Sequence, residues 1–223
     1  MRIISLIIFL FFSITSIAQT KKDRSFFRFG LKNVSVRGEN IGLQNNMALK
    51  PVIDLGFGLT YNLSDHLRFQ PGIQYSPRGF NAKSTLTDST FVENTLELHY
   101  LDICPNFSYS FGRFDSYNTH VVVWGGSYIG VGIGGKSYAS GTILNTKGTR
   151  ADSTFNKTTY TFGNGLNRID YGFNVGLGLQ IERFTQVGVA YSMGFNNIAD
   201  NKNFSIHHQS IGFYLTVLFD DMF

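Results

Sequence analysis

Residues 169–182 read Ile169-Asp170-Tyr171-Gly172-Phe173-Asn174-Val175-Gly176-Leu177-Gly178-Leu179-Gln180-Ile181-Glu182. Every odd position is apolar and every even position is polar or glycine. Side chains with a period of two lie on opposite faces of a β-strand, so this is a strand with one greasy face and one small or polar face. A four-residue turn, Glu182-Arg183-Phe184-Thr185, follows. The alternation then resumes with Val187, Val189, Tyr191, Met193 and Phe195 against Gln186, Gly188, Ala190, Ser192 and Gly194. Two alternating runs around a tight turn make an antiparallel hairpin.

The polar face of this hairpin is rich in glycine, which weakens a strand and has nothing to pack on a soluble surface. A membrane-spanning barrel reverses the usual logic: lipid meets the apolar set and a narrow lumen takes the small and polar set. The remaining chain follows the same rule. Strands are expected at 26–35, 52–62, 66–79, 97–111, 120–136 and 204–219, besides the hairpin. Long polar loops are expected at 36–50, 80–95 and 137–166, short turns at 62–65, 112–118 and 182–185, and a medium loop at 197–203. Short turns on one side and long loops on the other are the mark of an outer-membrane barrel. The expectation is an all-β, eight-stranded antiparallel up-and-down transmembrane β-barrel with short periplasmic turns and long extracellular loops.

Local features add detail. Pro71 and Pro77 predict bulges or strand ends, because proline cannot donate to a ladder. Leu96 and Leu98 fall out of phase with Leu101, Ile103 and Phe107, which a bulge near His99–Tyr100 explains. Tyr61, Tyr109, Phe111, Phe114 and Phe184 near the short turns, and Tyr75, Phe80, Tyr171 and Phe195 near the long loops, are assigned to two interfacial girdles.

The N-terminus has Arg2, an apolar run from Ile3 to Phe12, and a small-x-small site at Ser16-Ile17-Ala18. That predicts a signal peptide at 1–18 and a barrel domain at 19–223, because the run is too short to span as a helix. Phe223 suits an outer-membrane assembly signal, interrupted by Asp221. Charged residues make up 15% of the chain, below the roughly 25% of a soluble domain. The net charge of +4 is thinly spread, so no nucleic-acid partner is expected. Cys104 stands alone, which excludes an internal disulfide. No His/Cys/Asp cluster has metal-ligand spacing, and neither metal nor cofactor is expected. The glycine run 130–135 imitates a nucleotide loop, but no helix follows it.

Four pieces of the chain carry a resemblance to a known family. They are Phe29-Gly30-Leu31-Lys32-Asn33-Val34-Ser35, Pro71-Gly72-Ile73-Gln74-Tyr75-Ser76-Pro77-Arg78-Gly79, Tyr100-Leu101-Asp102-Ile103-Cys104-Pro105 and Asp170-Tyr171-Gly172-Phe173-Asn174-Val175-Gly176-Leu177-Gly178. In these the chain resembles the PorT-type outer-membrane β-barrel proteins of Bacteroidetes-like bacteria. The resemblance implies location in the outer membrane, a role in the envelope or in secretion, and no catalytic residues.

The inward set carries charge: Arg28, Lys32, Asp54, Arg68, Arg78, Asp102, Asp170 and Glu182. Buried charges must be paired or hydrated, and an eight-stranded barrel has room only for its own side chains. The expected role is a structural polar network filling the lumen; the alternative is a narrow polar pathway. His208 and Ser210 share a strand face, the spacing that a serine hydrolase could use.

Three functions remain in view. The first is a non-enzymatic barrel whose extracellular loops bind a protein partner. It would contact outer-membrane lipids, and the barrel assembly machinery during insertion. The second is a lipid-modifying enzyme, and the third a secreted lipocalin-like binding barrel.

Overall fold

The computed structural model describes residues 24–38, 47–87, 90–143, 153–158, 161–163, 165–200 and 205–220. The expected signal peptide and the terminal Phe223 lie outside the described residues. Eight strands form the ring: β1 (Arg24–Arg37), β2 (Lys50–Asn62), β3 (Leu67–Thr87), β4 (Thr90–Ser110), β5 (His120–Ile143), β6 (Ile169–Ile181), β7 (Thr185–Gly194) and β8 (His207–Asp220). Each pairs antiparallel with its neighbours in sequence, and β8 closes on β1 from Arg24↔Asp220 to Arg37↔His207. Closure removes the sheet edge, which a membrane cannot tolerate. Among the described residues there is no helix.

The faces are arranged as a membrane requires. Ile103 is 63% exposed and Phe213 72%, whereas Asp54, Arg68 and Asp170 are each 0% exposed. Leu177 and Val189 face outward too. A greasy exterior around a charged interior suits acyl chains and excludes a soluble binding barrel, whose apolar side chains would fill the inside.

The β6–β7 connection is shorter than expected, with Ile181 opposite Thr185. Glu182 therefore sits in the turn, exposed, with φ 51°. This corrects its assignment to the lumen: the alternation ends at Ile181, and the turn needs a left-handed residue at the next position.

The prolines mark gaps in pairing and produce no bulge. Pro71 lies opposite Pro105 on β4, and the β2–β3 ladder skips the position facing Pro71. That ladder ends at Leu55↔Tyr75, two residues before Pro77. Each missing N–H therefore falls where no ladder bond is made.

The long connections were overestimated. Residues 80–95 are largely strand, continuing the β3–β4 ladder as far as Thr87↔Thr90. β5 runs on to Ile143 and pairs with Ser153–Thr158, and Met47–Ala48 adds to β3. Beyond the level of Phe80 and Leu96, residues 81–87, 90–95 and 138–143 form a sheet that rises past the ring. At about 3.3 Å per residue, it carries on the order of 20 Å of extra strand.

Leu96, Leu98 and Tyr100 do not flip out of phase. They are buried on the same inward face as Asp102 and Cys104. The register with β5 does shift between His99 and Tyr100, but the additional residue is Ile133 on β5. The apolar residues point inward because the upper lumen is itself apolar. Phe80 and Phe114, expected in the girdles, also point inward, at 6% and 1% exposed.

Candidate functional site

The lumen is layered. At the short-turn end Phe114, Val122, Trp124, Ala190 and Tyr214 make a small apolar cluster. Arg68 lies flat on Phe114, its guanidinium carbon 3.7 Å from the ring centroid, and donates from Nε to Asn62 Oδ1 at 2.7 Å. At the long-loop end Val36, Phe80, Leu96, Leu98, Tyr100, Leu166, Ile198, Ala199 and Ile206 form a larger plug, with Phe162 packed against it. Arg28, Lys32, Arg78 and their carboxylates lie between the two, while the buried Arg24 and Arg68 belong to the short-turn end.

Glycine makes this filling fit. A Cβ on Gly176 would collide with the Trp124 indole, and one on Gly188 would come within 2.7 Å of it. Gly30 clears space for Tyr214 in the same way, at 2.6 Å, and Gly132 for Phe162. These four inward glycines are sockets for aromatic rings from other segments. The sequence signal was therefore present in pairs: glycine on one strand, aromatic on another.

The charged layer holds three buried cations. Arg78 on β3 donates from Nη1 to Asp170 Oδ2 on β6 at 2.6 Å, and from Nη2 to Asp102 Oδ2 on β4. Its guanidinium also lies over Tyr100 and Tyr128, at 4.2 and 4.7 Å from their centroids. The Tyr128 hydroxyl donates to Asp170 Oδ2 at 3.4 Å. Lys32 on β1 pairs with Asp54 Oδ2 on β2 at 2.8 Å and donates to Ser76 Oγ on β3 at 2.7 Å. Arg28 donates from Nε to Thr216 Oγ1 on β8 at 3.0 Å. These contacts tie every strand of the ring except β7 together through the interior.

So Arg28, Lys32, Asp54, Arg68, Asp102 and Asp170 all lie inside the ring with Arg78, and Glu182 does not. Alternation alone did not single out Tyr100, Tyr128 and Tyr214, which pack against the charges. A cavity of about 30 Å³ remains in this layer, bordered by Arg28, Lys32, Arg78, Asp102, Trp124 and Ser210 among others. It has room for roughly two waters.

His208 is 4% exposed and packs edge-on against Tyr100, with ring centroids 5.8 Å apart. Both of its ring nitrogens are enclosed without a hydrogen-bond partner among the described residues. His208 and Ser210 are thus on one strand without the nucleophile–base contact that hydrolysis requires. Among the described residues no group of His, Cys, Asp and Glu is placed to hold a metal.

The chain is similar in structure to the attachment invasion locus protein Ail of Yersinia pestis, at 8% identity and TM-score 0.44, covering 89% of this chain and 100% of that one. It is similar to Neisserial surface protein A at 13% identity and TM-score 0.43, covering 87% and 97%. It is also similar to OprG of Pseudomonas aeruginosa at 10% identity and TM-score 0.40, covering 90% and 98%. No curated protein sequence matches it. Residues 17–200 match the family described as outer membrane protein beta-barrel domain. With its closed ring, lipid-compatible exterior and charged interior, this chain belongs to that outer-membrane β-barrel family.

Proposed function

We propose that this protein is a non-enzymatic, PorT-like envelope component whose interior is structural and whose working surface is the projecting sheet. The observation that carries the reading is how fully side chains fill the lumen among the described residues. Apolar clusters lie on either side of the ion-paired layer, whose charged side chains are almost wholly buried among the described residues, and a conducting pore needs a continuous watered path. The sheet at 81–87, 90–95 and 138–143 continues well past the 9–11 residues a strand needs to cross a bilayer. Strand ladder of that length outside the membrane offers a surface to a protein partner in secretion or in the envelope.

The test has two arms. Planar-bilayer recordings of the refolded barrel are expected to show no conductance steps, and the lipid A acyl pattern is expected to be the same with wild type and with Ser210→Ala. Steady channels, or an acyl pattern that depends on Ser210, would overturn the proposal. Site-specific photo-crosslinkers at residues 93 and 136 in intact cells are expected to trap a defined protein. Crosslinks to lipid alone would remove the partner-binding role.

A further inference from the structure

We propose that the central lumen cavity is a binding site for one small monovalent anion of the size of chloride, held by Arg28. The three cations of this layer differ in what they have. Lys32 has Asp54, and Arg78 has Asp102 and Asp170. Arg28 is 5% exposed and has no carboxylate within ion-pairing distance among the described residues. Its one protein hydrogen bond runs from Nε to Thr216. Asp54 lies diagonally across on β2, two residues from Gly56, the ladder partner of Arg28. It is engaged by Lys32 at 2.8 Å and by the Tyr214 hydroxyl at 3.5 Å. This leaves the buried Arg28 guanidinium with one neutral acceptor and no carboxylate of its own, a costly arrangement out of water.

The cavity supplies the place for a counter-charge. Arg28, Lys32 and Arg78 line it, and Asp102 is the one carboxylate among its lining residues. Asp102 gives Oδ2 to Arg78, and its Oδ1 stands over Gly130, enclosed and without a hydrogen-bond partner among the described residues. Ser192, Ser210, Asn174 and Gln74 also line the cavity and bring hydroxyl and amide donors. About 30 Å³ admits a halide, with little room left for more than a water. A phosphate or carboxylate ligand is too large. The plugs above and below lower the local dielectric, which strengthens the attraction of a desolvated anion to Arg28.

The test uses the full barrel refolded into detergent micelles in either sodium bromide or sodium gluconate. Diffraction at the bromine edge is expected to give one anomalous peak inside the lumen beside Arg28. Water alone in the cavity, or bromide only on the outer surface, would overturn the assignment. Refolding in chloride in place of gluconate at equal ionic strength is expected to raise the melting midpoint by about 2–4 °C. That rise is expected to vanish in Arg28→Met. A halide effect of equal size in Arg28→Met overturns the proposal. Should that variant not fold, the bromide map of the wild type decides alone.

Discussion

Arg78 on β3 reaches across the lumen to Asp170 on β6, Nη1 to Oδ2 at 2.6 Å, joining two strands that are not neighbours in the ring. Replacing Arg78 by Met leaves two buried carboxylates without their cation. The expected cost is about 3–5 kcal/mol. Adding Asp102→Asn and Asp170→Asn is expected to recover much of it, because residues in one network are not additive. Urea unfolding in micelles reads both variants, and Trp124, the single tryptophan of the chain, reports from inside the lumen.

Gly176 faces the Trp124 ring with no room for a methyl group. Gly176→Ala is expected to destabilise the barrel by about 1–3 kcal/mol through overpacking. Combining it with Trp124→Leu is expected to cost less than the sum of the two single changes. Heat-modifiability on gels, followed against temperature, measures the series.

Leu177, 52% exposed on the outer wall, and Glu182, exposed in the turn, make opposite predictions. Leu177→Arg puts a charge among acyl chains and is expected to cost about 2–4 kcal/mol. Glu182 holds a left-handed φ of 51°, a conformation that costs an ordinary residue about 1–2 kcal/mol. Glu182→Gly is therefore expected to leave stability unchanged or raise it by up to about 1 kcal/mol. Refolding yield and urea midpoints in lipid vesicles compare the two.

Cys104 is a free thiol, 5% exposed on the lumen wall. A maleimide reagent is expected to leave it unmodified in the folded barrel and to label it fully after heating in detergent. Mass spectrometry before and after heating provides the readout. Rapid labelling of the folded protein would mean that the lumen opens on the timescale of the reaction.

The parts of this fold that face lipid were legible in the sequence, because lipid imposes one rule along the whole strand. Residues 169–195 show it cleanly. Where the rule lapses, the reading lapsed with it. Residues 80–95 looked like a loop because they leave the membrane, and a strand in the medium has no reason to alternate. Leu96 and Leu98 looked out of phase because a lumen was assumed to be polar throughout. The charged residues of the interior were visible as inward positions. Their partners were not, because Arg78 and Asp170 meet only once eight strands have closed.

The long strands β3, β4 and β5 are consecutive, so among the described residues the strand ladder around the mouth is tallest on one flank. An incoming macromolecule therefore encounters a backstop of paired strand on one bearing. Rotation of the barrel about the membrane normal sets which bearing faces a neighbouring assembly, and the molecule has a front and a back despite its cylindrical stem.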